Sequence, residues 1–68
     1  MARVRVRILP GNKVVSLELE GRVTGERILR ELGLSRESYI VLVDGSPLPE
    51  DEEVEGEEVV LVRVISGG

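Results

Sequence analysis

Residues 3–8 alternate strictly between arginine and an aliphatic residue, and this alternation restricts the fold more than any other feature of the sequence. Successive side chains of a β-strand point to opposite faces of the sheet, so a period of two predicts a strand with one buried and one hydrated face. The buried side chains are expected to be Val4, Val6 and Ile8. The hydrated, basic face is expected to carry Arg3, Arg5 and Arg7.

A turn signal at residues 10–12 separates this strand from a second predicted strand, Val14 to Leu19. Proline, glycine and asparagine occupy the turn, and all three favour turns. In the second strand Ser16 and Glu18 should face outward. The inward side chains are Val15, Leu17 and Leu19. Because the connection is short, the two strands should form an antiparallel hairpin.

A single helix of about ten residues is predicted next. Thr24 is a suitable N-cap, Glu26 lies in the first turn where the helix dipole favours an acid, and Gly33 supplies the C-terminal cap. The apolar stripe consists of Ile28, Leu29 and Leu32. The side chains expected to face water are Glu26, Arg27, Arg30 and Glu31. So short a helix is unstable alone, so its stripe must pack on the sheet.

The second half of the chain predicts two more full strands. The first is Tyr39 to Val43, and the turn signal Asp44-Gly45 follows it. Prolines 47 and 49 allow at most a very short edge strand between them. The acidic stretch 50–58 has Val54 as its single apolar anchor. The last strand, residues 59–65, is apolar in both phases, which is typical of a central strand.

This order of elements predicts an α+β fold in which one helix packs across one face of a mixed four- to five-stranded sheet. The first and last strands should be central, parallel neighbours. The other face of the sheet then has no helix to cover it. At 68 residues the chain is a single domain, 1–68.

The composition argues against an enzyme with bound cofactors. Cysteine and histidine are absent, which excludes a disulfide framework, a thiol nucleophile and the usual neutral-pH general base. The acidic stretch lacks the spacing of a calcium-binding loop, so no metal site is expected. The absence of glutamine and the abundance of Glu, Arg and Val are typical of thermophile proteins.

Charge and hydropathy also limit the partners. The net charge is -4, which disfavours direct binding to nucleic acid. The sequence has no run of 18 apolar residues that could span a membrane, and no basic segment followed by an apolar one suggests secretion. We therefore expect a cytoplasmic, monomeric protein.

The sequence ends in Ser66-Gly67-Gly68, directly after the last predicted strand. Three extended residues reach about 10 Å. Glycine has no Cβ, so such a tail can enter a channel too narrow for other residues, and it leaves the terminal carboxylate unhindered. A flexible tail over residues 66–68 is expected, with the Gly68 carboxylate as the group that carries the chemistry.

Residues 39–68, YIVLVDGSPLPEDEEVEGEEVVLVRVISGG, resemble the ubiquitin-like β-grasp sulfur carriers and protein modifiers. This family includes the ThiS and MoaD type carriers, and the sequence is most similar to its small archaeal modifier and ubiquitin-related modifier branch. The hydrophobic strand, the Asp-Gly turn, the prolines, the acidic loop, the final strand and the Gly-Gly end match in order. The first half matches in pattern only.

The resemblance implies that the chain is a non-enzymatic carrier. A ubiquitin-activating-like enzyme would use ATP and Mg²⁺ to adenylate the Gly68 carboxylate. The acyl-adenylate would then become a thiocarboxylate that delivers sulfur to molybdopterin, thiazole or tRNA, or would form an isopeptide bond with a lysine of a target protein. The aromatic contacts of some molybdopterin-type carriers are missing, since the chain has one tyrosine and no other aromatic residue.

The last strand permits two phases. Arg63 indicates that Val60, Val62 and Val64 are buried, whereas the resemblance favours Val59 and Leu61 inward. In the second phase Val60 and Val62 join Leu42 on the open sheet face, and Arg63 lies past the core edge beside the tail. The predicted partner-binding face is therefore Leu42, Val60, Val62 and Arg63.

Two further hypotheses remain open. A ubiquitin-like domain that only docks, without covalent chemistry, is the alternative to the carrier. In the modifier branch Lys13, the only lysine, is a possible acceptor for a second copy's Gly68.

Overall fold

The computed structural model describes residues 2–49 and 51–64. This part of the chain contains five strands and one helix. In chain order they are β1 (Ala2–Leu9), β2 (Lys13–Leu19), α1 (Gly25–Leu32), β3 (Tyr39–Val43), β4 (Ser46–Pro47) and β5 (Glu58–Arg63). No helix among the described residues is long and apolar enough to cross a membrane.

The strands form one mixed sheet in the order β2-β1-β5-β3-β4. β1 and β5 are parallel neighbours, while β1 pairs antiparallel with β2, and β3 pairs antiparallel with both β5 and β4. The predicted hairpin and the predicted central, parallel pair are therefore confirmed. β4 has only two residues and lies at the edge, as predicted. Its position differs from the prediction, because it consists of Ser46 and Pro47 and does not lie between the two prolines.

The core lies between one face of the sheet and the helix. Its buried apolar side chains are Val4, Val6, Leu19, Val23, Ile28, Leu29, Val41, Val54, Val59 and Leu61. No polar or charged residue is buried in the described part of the chain. Val59 and Leu61 are fully buried, so the phase that the resemblance favours is correct and the phase that Arg63 indicates is wrong.

Both predicted helix caps are present. The Thr24 hydroxyl accepts a hydrogen bond from the backbone N–H of Arg27 at 3.2 Å. Gly33 adopts the left-handed conformation, with φ of 70°, and its N–H donates to the Arg30 carbonyl at 3.1 Å. Glycine adopts this conformation without the steric penalty that a Cβ adds, so it ends the helix after eight residues.

Arg27 was expected to face water, and the structure adds contacts that were not predicted. The residue is half-buried, and its guanidinium donates hydrogen bonds to the backbone carbonyls of Glu20 and, at 3.0 Å, of Arg22. Arginine presents several donors from one planar group, so a single side chain can satisfy two carbonyls. Arg27 therefore ties the segment that precedes the helix to the helix itself.

The acidic segment packs back onto the same region. Val54 is buried, as predicted for its single apolar anchor, and its N–H donates to the Val23 carbonyl at 2.7 Å. Beside it, Arg22 Nε lies 3.7 Å from Glu53 Oε1. The acidic residues that the structure describes between positions 51 and 58 are exposed, while Val54 anchors the segment to the core.

The start of the helix approaches the sheet so closely that a side chain at position 25 would crowd Val41. A Cβ at this position would lie 3.0 Å from Cγ2 and 3.3 Å from Cγ1 of Val41. Both residues are buried. The absence of a Cβ at Gly25 therefore sets how near the helix can come to β3.

Gly25→Ala should destabilise the protein by about 1 kcal/mol, because overpacking against Val41 exceeds the small gain in helix propensity. In a domain of this size the melting temperature should fall by about 4–8 °C. In a Val41→Ala background the same substitution should be neutral or stabilising. Equal losses in both backgrounds, measured by thermal unfolding, would show that the contact with Val41 is not the cause.

Candidate functional site

The sheet face opposite the helix carries a row of residues in register across all five strands. The row consists of Val14, Arg7, Val60, Leu42 and Pro47. Four of the five are apolar, and none of them is buried. A sheet face that exposes neighbouring apolar side chains is typical of a protein interaction site.

A second apolar row lies beside the first. Here Leu9, Val62 and Ile40 are in register across β1, β5 and β3. Ile40 is 44% exposed and Val14, in the first row, is 49% exposed, which is high for large aliphatic residues. We call the apolar members of both rows the apolar patch: Leu9, Val14, Ile40, Leu42, Pro47, Val60 and Val62.

The other end of the same face is charged. Arg3 Nη2 lies 2.9 Å from Glu18 Oε1, and Arg5 Nη1 lies 3.8 Å from Glu58 Oε2. Ser16 is in register with Arg5, so these five residues form a charged ladder. Both ion pairs are exposed and contribute little stability, about 0.2–1 kcal/mol each. Their main effect is to neutralise Arg3 and Arg5 locally.

The apolar patch lies at the end of the sheet where the chain leaves β5. The strand runs from Glu58, in the charged ladder, to Arg63, beyond the patch. After Arg63, the N–H of Val64 donates to the Ser38 carbonyl at 2.7 Å. The exit of the chain is therefore fixed beside the beginning of β3.

The C-terminal residues named in the sequence predictions, Ser66, Gly67 and Gly68, lie outside the described residues, as does Ile65. The predictions for them stay predictions. At this end of the chain the structure describes β5, which ends at Arg63, and Val64.

The residues predicted to form a partner-binding face are only partly together. Leu42, Val60 and Val62 all belong to the apolar patch. Arg63 is in register with Tyr39, whose side chain packs against the core, so Arg63 is in phase with the helix side of the sheet. It is exposed at the end of β5 and does not share a face with the patch.

Sequence reasoning missed four members of the patch: Leu9, Val14, Ile40 and Pro47. The alternation around Val41 would have placed Ile40 on the open face, and the phase of Ser16 would have placed Val14 there. Leu9 extends β1 beyond the six alternating residues. Pro47 could be placed only from the register of β4 against β3.

Lys13 is exposed at the first residue of β2, in register with Ile8. Since Ile8 is also in register with Leu61, Lys13 lies two strands away from β5, about 10 Å between Cα atoms. The β1–β2 turn and the exit of β5 are at the same end of the sheet, because β1 and β5 are parallel. Lys13 is thus at the end of the sheet at which β5 ends.

A family model and a named relative indicate the same family. The chain matches the family model of Small archaeal modifier protein 2 over residues 2–65. A relative from Haloferax volcanii, Small archaeal modifier protein 2, is 38% identical over 64 residues, covering 79% of this chain and 97% of the relative. An uncharacterized protein from Archaeoglobus fulgidus is 48% identical over 54 residues, covering 75% of this chain and 81% of the relative.

A solved structure has the same fold. It is the NMR solution structure of a computationally designed protein based on the template of human erythrocytic ubiquitin. The TM-score is 0.67 at 26% identity, with 100% of this chain and 98% of that chain covered. The predicted ubiquitin-like β-grasp fold is confirmed.

Aspartate substitutions on the two sheet faces should differ sharply in their effect on stability. Val4→Asp places an unpaired charge in the core and should unfold the domain, whose total stability is on the order of 5–15 kcal/mol. Val62→Asp should cost about 1 kcal/mol, because its side chain faces the open side of the sheet. Thermal unfolding followed by circular dichroism measures both. Equal destabilisation by the two substitutions would place Val62 in the core.

Proposed function

The chain belongs to the small archaeal modifier protein 2 family, and we propose that the carboxylate of Gly68 is the reactive group of this ubiquitin-like modifier. The observation that carries the proposal is the family match over residues 2–65. The position of the apolar patch supports it. A protein that receives the tail would meet the patch at the same end of the sheet.

The proposed chemistry begins outside this chain. A free carboxylate is a poor acyl donor, so a ubiquitin-activating-like enzyme, which binds ATP and Mg²⁺, would join the Gly68 carboxylate to AMP and release pyrophosphate. In the modifier branch the Nζ of a target lysine attacks the acyl carbon, the amine loses a proton, and AMP leaves. An isopeptide bond results.

In the carrier branch hydrosulfide, released by a sulfur donor, attacks the acyl carbon, and AMP leaves. The resulting thiocarboxylate delivers sulfur to an acceptor enzyme for tRNA thiolation, molybdopterin synthesis or thiazole synthesis. Both branches use the same activated group. We assign no catalytic step to the side chains of this chain, and we place the reaction in the cytoplasm, where ATP is available. The partners are the adenylating enzyme and either a sulfur-acceptor enzyme or target-protein lysines.

A second candidate function is a domain that acts only by non-covalent docking. The apolar patch favours it, since an exposed apolar surface serves docking with or without covalent chemistry. The two functions differ in whether Gly68 is activated. The intact mass of the protein after incubation with the adenylating enzyme, ATP and a sulfur donor therefore separates them.

Deleting Gly68, or Gly67 and Gly68 together, should abolish activation and leave the fold intact. β5 ends at Arg63 and Val64 makes the last described backbone contact, so the deletion removes no described interaction. ATP–pyrophosphate exchange measures adenylation, and mass spectrometry detects exchange of one oxygen for sulfur. The melting temperature serves as the control. Adenylation of the truncated chain at the wild-type rate would refute the role of the Gly68 carboxylate.

Lys13→Arg should remove any self-conjugates while conjugation to other proteins continues. The substitution keeps the positive charge but removes the only side-chain amine of the chain. Intact mass distinguishes two products at Lys13. A linked dimer has twice the mass of the chain less one water, and an internally closed ring has the mass of one chain less one water. Self-conjugates that persist in Lys13→Arg with a blocked N-terminus would contradict acceptance at Lys13.

A further inference from the structure

The three arginines on the open face of β1 are not equivalent. Arg3 and Arg5 are paired with Glu18 and Glu58 in the charged ladder. Within the described residues Arg7 makes neither an ion pair nor a side-chain hydrogen bond. It is also the only charged residue in the row that crosses all five strands.

The surroundings of Arg7 explain why it is unpaired. Its register partners are Val14 on β2 and Val60 on β5, so no acid lies opposite it on either neighbouring strand. Along β1 the next residue on this face is Leu9. The acid nearest in register, Glu58, is opposite Arg5 and pairs with it. Arg7 is therefore a lone guanidinium at the border of the apolar patch.

The charge of Arg7 affects how a partner can bind the apolar patch. When a partner covers the apolar patch, the guanidinium loses water, and desolvation of an uncompensated charge opposes binding. A carboxylate on the partner removes that penalty, because arginine forms two parallel, charge-assisted hydrogen bonds with it.

We propose that the protein that docks on the apolar patch presents an aspartate or glutamate carboxylate to Arg7 from within an otherwise apolar surface. This inference rests on the proposed function and commits to the adenylating enzyme as the partner. Arg7 provides the positive charge that a carboxylate of the enzyme would complement. The apolar patch lies beside the end of β5, so an enzyme that binds the tail would contact this surface. The charged ladder, already neutralised, forms the periphery of the contact.

The first test compares two arginines of the same strand. Affinity for the cognate adenylating enzyme is measured by isothermal titration calorimetry for the wild-type chain, Arg7→Gln and Arg3→Gln. Arg7→Gln should weaken binding about 10- to 100-fold, the range for losing a hydrogen-bonded charge partner. Arg3→Gln, which makes the same change of charge in an exposed ion pair, should change the affinity by less than about threefold. Arg7→Lys should fall between wild type and Arg7→Gln.

The second test identifies the carboxylate directly. In a Lys13→Arg background, Arg7→Lys introduces the only side-chain amine of the chain at the border of the patch. A carbodiimide, which joins amines to carboxylates without a spacer, should link this amine to an aspartate or glutamate of the enzyme. Arg3→Lys in the same background is the matched control and should give little intermolecular product. Peptide mass spectrometry locates the linked residue.

The variants distinguish loss of the Arg7 contact from loss of docking on the apolar patch. If Val62→Asp abolishes binding while Arg7→Gln behaves as Arg3→Gln, the docking face stands and the partner carboxylate is overturned. A different result would be a cross-link to the acidic segment of a second copy, together with dimers in sedimentation that Arg7→Gln abolishes. That result would overturn the assignment of the partner to the enzyme. Unchanged melting temperatures confirm that each variant is folded.

Discussion

The parallel pairing of β1 with β5 determines most of the remaining structure. One phase of this pairing places Val6 against Val59 and Ile8 against Leu61 on the helix side, and the other places Arg7 against Val60 and Leu9 against Val62 on the open side. A shift by one residue would exchange the two faces, which would expose core side chains and bury arginines. The same register therefore determines both which side chains form the core and which form the open face.

The contacts that pack the helix against the sheet all lie on one face of the sheet. Ile28 and Leu29 fill the space above the sheet, Gly25 permits the close approach to Val41, and Arg27 binds the carbonyls of the preceding segment. These contacts secure the sheet from one side only. The fully buried side chains lie on the helix side, so substitutions on the open side are expected to cost less stability.

Local patterns were sufficient to predict the strands and the helix, because alternation, caps and turn residues act over a few positions. The phase of β5 could not be derived in this way, since both of its phases are apolar and Arg63 indicates the wrong one. The resemblance favoured the correct phase, and the pairing of Val59 with Val6 on β1 shows it in the structure. The hydrogen bonds of Arg27 could not be predicted, because their acceptors are backbone carbonyls, which have no residue-specific pattern in the sequence. The full apolar patch depends on register across five strands. The role of Gly68 rests on resemblance and family membership.

The central claim is that one register places a docking face beside the tail. Its most direct test is an NMR titration of the isotope-labelled chain with the adenylating enzyme. The account predicts that the amide signals of β5, of the first half of β3 and of Arg7 to Leu9 change on binding, together with those of residues 65–68. Signals of α1 should stay unchanged. Perturbation centred on α1, with the open sheet face unaffected, would contradict the account.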